Sequence, residues 1–290
     1  MKILVTGGDG LLAHSLRELS PKCRGDVFVF LNHTEFDLTR PDLMAERLDQ
    51  LQPDAVVNTA AYNLVDRCEI ERDLSWSVNA IGPEKLAGLC AKKNALLVHF
   101  STDYVFDGAK KSPYTESDAT NPLNHYAAGK FAGEQAVVRA SPVNLVLRTS
   151  WMFDWHPTQS KTFVHTVMKA AREGRTLKST TDQISVPTFA PDLAQWTLEL
   201  VRRNVGGLFH AVNDEGVSRF EWTKVILDEA VRAELISAAP PVEPVPGSFF
   251  NSAMRRPDYT VLGNEKLSGL LGHNLGSWRG GLRKMLAQMK

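Results

Sequence analysis

The stretch Met1-Lys2-Ile3-Leu4-Val5-Thr6-Gly7-Gly8-Asp9-Gly10-Leu11-Leu12-Ala13 decides the fold. Ile3-Leu4-Val5 is a short apolar run of the kind a strand covered on both faces needs, and residues 11–19 read as a helix. Between them Gly7 permits a tight turn, Gly10 lets a pyrophosphate approach the backbone, and the small Ala13 permits close helix–strand packing. The helix amino terminus, at Leu11 and Leu12, supplies N–H donors and the positive end of a dipole. The spacing is Gly-x-x-Gly-x-x-Ala. Such a cluster alone also fits a plain turn, and its weight comes from its place in the first unit of an alternating fold.

Working outward, apolar runs at 27–31, 55–57, 96–100 and 143–147 read as strands, separated by helical patterns over 41–52, 73–92 and 123–139. Continuous apolar strands alternating with helices imply a parallel sheet covered on both faces, with ligands at the carboxyl ends of the strands. Beyond residue 150 the pattern predicts helices around 160–173, 191–203, 219–231 and 275–288, and a strand over 208–212. Pro240, Pro241, Pro244 and Pro246 exclude a regular helix, so 232–260 reads as mostly loop. The expected fold class is α/β, a Rossmann-type doubly wound parallel sheet with a smaller C-terminal substrate-binding lobe. Residues 1–150 form the dinucleotide-binding domain, segments near 187–215 return to it, and 151–186 and 216–290 belong mainly to the lobe.

A chain of 290 residues buries a core without disulfide or metal staples. Lys+Arg and Asp+Glu balance at 33 each, so no basic excess points to nucleic acid, and any bound anion must be gripped locally. Hydrophobic residues at 43% and a mean hydropathy of −0.20 describe an ordinary globular chain. Cys23, Cys68 and Cys90 lie far apart with no metal-ligand spacing, so no metal is expected. The apolar run at the start is too short for a secretory signal, and no stretch approaches a membrane span; a cytoplasmic location is expected, with no membrane partner.

Tyr126 and Lys130 stand four residues apart on a predicted helix and share one face. An ammonium beside a phenol favours phenolate and lowers a pKa that starts near ~10, which would suit proton transfer at a carbonyl oxygen. An ordinary surface helix pair has the same spacing. The fourth strand runs into Ser101-Thr102-Asp103-Tyr104-Val105-Phe106-Asp107-Gly108, where one hydroxyl could hydrogen-bond a substrate carbonyl; plain turn chemistry explains the same residues. His99 is read as a buried, hydrogen-bonded core residue and not a catalyst. At the second strand's end, Asn32-His33-Thr34-Glu35 puts no acid at the tip to exclude a 2′-phosphate, although Glu35 or Asp37 could turn inward. The expectation leans to NADPH, with NADH left open.

These elements together resemble the extended short-chain dehydrogenase/reductase family, and more narrowly its dTDP-4-dehydrorhamnose reductase branch. The resemblance rests on the Ser101 to Gly108 stretch, on Asn121-Pro122-Leu123-Asn124-His125-Tyr126-Ala127-Ala128-Gly129-Lys130, and on Arg148-Thr149-Ser150-Trp151. Asp182-Gln183, Pro187-Thr188 and Arg255-Arg256-Pro257 match as well, so it covers nearly the whole chain. It implies NAD(P)H-dependent reduction of the C4 keto group of a nucleotide-activated 6-deoxyhexose, with Tyr126 as proton donor. It further implies that Lys130 holds the nicotinamide ribose and tunes Tyr126, and that Thr102 orients the keto oxygen. Asn79 would stand beside the active site, Ala60, Ala61 and Tyr62 would line the cofactor with Gly7, Gly10, Leu11, Leu12, Asn32, His33, Asp37 and Ser101, and Tyr104 and Trp151 would border the sugar. Arg255 or Arg256 would meet the diphosphate.

Thr59 stands where the family commonly has alanine or glycine. Related 4,6-dehydratases carry glutamate where this chain has Tyr104, which counts against dehydration, since eliminating water needs an additional proton-transfer group. Two alternatives stay open: an NADP-binding, non-catalytic regulatory subunit resembling the methionine adenosyltransferase beta subunit, and a reductase of a UDP- or GDP-linked 4-keto sugar. The expected partner is a small nucleotide-sugar substrate, and a homodimer is the assembly in view.

Overall fold

The computed structural model describes residues 1–156, 162–252 and 254–289. The first half runs β1 (Lys2–Thr6), α1 (Leu11–Leu19), β2 (Val27–Leu31), α2 (Pro41–Leu51), β3 (Ala55–Asn58), α3 (Arg72–Trp76), α4 (Gly82–Lys92), β4 (Leu96–Thr102), α5 (His125–Ala140) and β5 (Leu145–Thr149). The second half adds β6 (Met152–Phe153), α6 (Phe163–Arg172), β7 (Leu177–Thr180), β8 (Ile184–Ser185), β9 (Thr188–Phe189), α7 (Ala190–Arg202) and β10 (Gly207–His210). It closes with β11 (Val217–Ser218), α8 (Arg219–Arg232), β12 (Val242–Val245), α9 (Glu265–Leu271) and α10 (Trp278–Ala287).

Six strands form one parallel sheet in the order β10-β5-β4-β3-β1-β2. Strand residues alternate between its faces as the two-residue period demands. Ile3, Val5, Val57 and Val98 pack with α1 and α7 residues such as Leu16 and Leu193, whereas Leu4, Val56, Leu97 and Val146 pack with Met44, Leu86 and Val137 of α2, α4 and α5. The order reverses between β1 and β3. A crevice therefore opens at the carboxyl ends of those two strands, where open α/β sheets take ligands. A second core, with Trp222 and Trp278 fully buried at its centre, gathers α6, α8, α10 and the short strands between them.

The helix expected over 73–92 is interrupted. A wide π turn over Ser77–Ile81 separates α3 from α4. Pro83 has no N–H to give the Asn79 carbonyl four residues back, and the Gly82 N–H bonds the Ser77 carbonyl instead. The freed Asn79 carbonyl faces α5: a Cβ on Gly133 would lie 2.3 Å from that oxygen. Glycine at 133 thus lets α5 lie against the π turn. A buried pair fastens α5 from the other side, Arg148 of β5 donating to both Glu134 oxygens at 2.9 and 2.6 Å.

Other departures have local causes. β5 starts at Leu145, two residues later than expected, because Val143 lies outside the core at 47% exposure. Within the segment read as loop, β12 pairs in parallel with β7, since proline excludes a helix but not an edge strand. The strand expected over 208–212 is β10, ending at His210, and α9 was not anticipated. Residues 160 and 161 of the helix expected over 160–173 lie outside the described residues. Among the described residues no helix is long and apolar enough to cross a membrane, and no cluster of three or more His, Cys, Asp or Glu side chains is placed to hold a metal ion.

Gly133→Ala is expected to destabilise the fold by about 1–3 kcal/mol through overpacking, measured by urea unfolding. Gly88→Ala, in α4 with open space at its Cβ position, is the control and should be neutral or stabilising by up to about 1 kcal/mol.

Candidate active site

Two cavities bear on the site. The first, of about 240 Å³, lies at the sheet's reversal point and is lined by Gly7, Gly10, His33, Asp37, Ala60 and Ala61 among others. Gly7 adopts φ +64°, and a Cβ there would stand 2.9 Å from the Ala60 backbone, so glycine is required on both counts. The Thr59 hydroxyl donates to the Thr6 carbonyl at 2.6 Å and ties the loop after β3 to the glycine turn, which gives the unexpected threonine a role. α1 has no side-chain cap and no acidic residue in its first turn, leaving the early N–H groups as donors. Leu12 can contribute only that backbone group, because its side chain is buried in the core.

Acids near the end of β2 are already engaged. Glu35 accepts the Asn32 N–H at 2.9 Å, and Asp37 accepts the N–H and hydroxyl of Thr39, each at 2.8 Å. Asn32 uses its own Oδ1 on Thr34, so its side chain shapes the turn and does not face the cavity. His33 stands at the rim with its side chain 82% exposed.

Tyr62 departs from expectation. Its hydroxyl bonds Glu71, away from the cavity, and it does not line the groove with Ala60 and Ala61. Buried Asn79 uses both ends of its amide on the Tyr62 backbone, Oδ1 accepting the N–H and Nδ2 donating to the carbonyl, each at 2.9 Å. It therefore clamps the loop after β3.

Tyr126 and Thr102 meet, whereas Lys130, one turn further along α5, reaches His99 of β4 instead. Asn124 caps α5, accepting the Ala127 N–H at 2.8 Å, and its amide donates to the Arg255 carbonyl at 3.0 Å, so the start of α5 is tied to the lobe. The Thr102 hydroxyl accepts the Tyr104 N–H at 3.2 Å and donates to Asp103 at 3.1 Å. The ring of Tyr104 meets that of Tyr126 edge-on, centroids 6.3 Å apart. Ser101 is buried and its hydroxyl has no partner among the described residues.

Electrostatics differ from the spacing argument. Burial, then the nearby Asp103 carboxylate, push the Tyr126 phenol well above its ordinary value, and only the Thr102 hydroxyl pulls it down. Lys130 does not turn towards the phenol: its Nζ lies 3.5 Å from His99 Nε2, and burial lowers its pKa to about 8 against the opposing effect of Glu134. His99 is buried and neutral, with Nδ1 3.1 Å from the Asn58 amide, whose Oδ1 accepts from Thr6. At neutral pH the pair is thus a protonated phenol and a mostly charged amine, the form a proton donor requires.

The second cavity, about 400 Å³, is lined by Arg256, Arg219, Lys178, Gln183 and Thr180 among others. Arg255 is exposed and lies away from it, whereas Arg256 borders it while paired with Asp66 at 2.8 Å. Trp151 sits between β5 and β6 at φ +38°, a strained conformation for a bulky residue. Sequence reasoning passed over Asp103, buried and accepting hydroxyls of Ser185 at 2.8 Å and Thr260 at 2.5 Å. Its chain neighbours Thr102 and Tyr104 were the only signal.

The RmlD substrate binding domain family matches residues 1–290. The chain belongs to this family. It is 34% identical over 298 residues to a dTDP-4-dehydrorhamnose reductase of Salmonella typhimurium, covering 100% of this chain and 98% of the relative. The corresponding protein of Burkholderia thailandensis is 36% identical over 290 residues, with 96% of each covered. A crystal structure of dTDP-4-dehydrorhamnose reductase from Bacillus anthracis in complex with NADP superposes with a TM-score of 0.91 at 30% identity, covering 99% of both chains.

Gly7→Ala is expected to weaken dinucleotide binding by at least about tenfold in a fluorescence titration, because strain and collision with Ala60 act together. Gly25→Ala, also at positive φ but with nothing within 4 Å, should leave binding unchanged.

Proposed function

We propose that this chain uses NADPH to reduce the C4 keto group of a nucleotide-activated 6-deoxyhexose, taking dTDP-4-dehydro-L-rhamnose to dTDP-L-rhamnose. The observation that carries the reading is the protonated Tyr126 phenol beside the Thr102 hydroxyl, in a chain that also holds a groove fitted to a dinucleotide and a cavity bordered by arginines. The full-length relatives bear reductase names, which argues against the regulatory-subunit alternative.

The groove fits the cofactor. Uncapped amides at the start of α1 suit a pyrophosphate, and Glu35 and Asp37 each spend an oxygen on their own turn, on Asn32 and Thr39, that could otherwise bond a ribose 2′-hydroxyl. When bound, the reduced nicotinamide supplies the hydride. The chain's own part is to hold the keto oxygen between the hydroxyls of Thr102 and Tyr126, so that charge growing on it meets a donor in place. Tyr126 gives that oxygen its proton. Lys130, drawn back against His99, carries a positive charge below about pH 8 that suits the ribose hydroxyls and the phenolate left by proton transfer.

Tyr126→Phe is expected to lower kcat by about 10²–10⁴-fold with NADPH affinity unchanged, in an assay following cofactor absorbance with the 4-keto sugar nucleotide. A variant turning over like the parent would remove Tyr126 from its role. Burial makes Lys130 lose its proton at lower pH than an ordinary lysine, so kcat/KM should fall as pH rises through about 8. A profile flat to well above that pH would contradict a charged Lys130.

A further inference from the structure

We propose that Arg219, laid on the face of Trp151, is the principal counter-cation for the substrate's diphosphate, a proposal that rests on the nucleotide-sugar reading above. Three cationic side chains border the larger cavity, and two already have carboxylate neighbours. Arg256 faces Asp66 at 2.8 Å, and Lys178 lies 3.7 Å from Glu243. Arg219 is different. Its guanidinium carbon sits 3.6 Å over the Trp151 ring, 4.6 Å from that of Phe163 and 5.2 Å from that of Trp222. Among the described residues its side chain makes no hydrogen bond and has no carboxylate within 4.0 Å. Aromatic faces hold the fork in position but accept none of its five N–H donors.

The carboxylate whose charge acts on it is that of Asp103, which already accepts the hydroxyls of Thr102, Ser185 and Thr260. Arg219 is half-buried, and a guanidinium partly removed from water without a paired anion is costly; the arrangement persists here beside an open cavity. Burial also makes this arginine easier to discharge, to about pH 10, while leaving it charged at neutral pH.

A second observation points to the same ligand. Thr180, 4% exposed, lines this cavity with a hydroxyl that has no partner among the described residues. A third is the platform itself. Trp151 is held at φ +38°, two residues past the end of β5, whose Thr149 pairs in register with Thr102. A strained residue held in place invites a functional reading, and here its ring carries a guanidinium that feels the charge of Asp103, just past the end of β4. An anion on Arg219 and Thr180 would therefore leave the attached sugar next to Tyr126. Planar guanidinium is suited to phosphate oxygens, which it meets with paired N–H groups.

The test uses the full chain and two variants. Arg219→Met keeps an apolar stem over Trp151 and removes the charge, while Arg219→Lys keeps the charge and removes the fork. Titration calorimetry with thymidine diphosphate and with thymidine is combined with steady-state kinetics on the 4-keto sugar nucleotide. Arg219→Met should raise the thymidine diphosphate Kd and the substrate KM about 10–100-fold, with Arg219→Lys between it and the parent. Thymidine affinity, NADPH affinity and Tm should stay near those of the parent. A folded Arg219→Met protein that binds thymidine diphosphate like the parent overturns the proposal, and if Arg219→Met does not fold, Arg219→Gln is held to the same criterion. If the parent turns over but shows no Arg219 dependence, the inference fails and the reaction stands. If thymidine diphosphate binding depends on Arg219 but no 4-keto sugar nucleotide is reduced, the reaction fails and the anion site stands.

Discussion

The carbonyl oxygen of Asn79 occupies the space that any side chain at residue 133 would need. That one close approach sets where α5 lies, and everything chemical on the chain is measured from α5. Pro83 frees the carbonyl, the π turn aims it, and glycine at 133 accepts it. The Arg148–Glu134 pair and the Asn124 cap fix the same helix at two further points. Rotating a helix by one residue turns its face by about 100°, so without these constraints Tyr126 would not face Thr102 while Lys130 faces His99 of the same strand.

Burial governs the reacting groups more than their mutual spacing does. A phenol removed from water keeps its proton, and an amine removed from water gives its proton up more readily. The proposed reaction would use both tendencies, with Tyr126 as a stored proton and Lys130 as a cation poised near the physiological range. His99 gives the amine a resting place, and through Asn58 and Thr6 that place is tied to the strands beside the glycine turn.

Much of this was legible in the sequence because it is local. The glycine turn, the i,i+4 pair on α5 and the hydroxyls ending β4 are each defined by residues close in the chain, and alternation of strand and helix set the sheet that gathers them. What escaped has a physical explanation. Spacing alone says that Lys130 can reach Tyr126, but not that His99 competes for it or that desolvation outweighs its charge. Tyr62 follows Ala60 and Ala61 closely, yet Glu71 draws its side chain away. Arg219 lies 68 residues after Trp151, at the start of α8, and only tertiary packing joins them. The lobe is assembled from strands of two to four residues, too short for periodicity to show, and β12 was hidden by its own prolines.

A structure of the chain with NADPH and the 4-hydroxy product sugar nucleotide bound together tests the convergence most directly. The account predicts the product's C4 oxygen within about 3 Å of both the Tyr126 and Thr102 hydroxyls, with Lys130 turned from His99 to the ribose. A C4 oxygen seated elsewhere, with the phenol touching neither sugar nor nicotinamide, would contradict it.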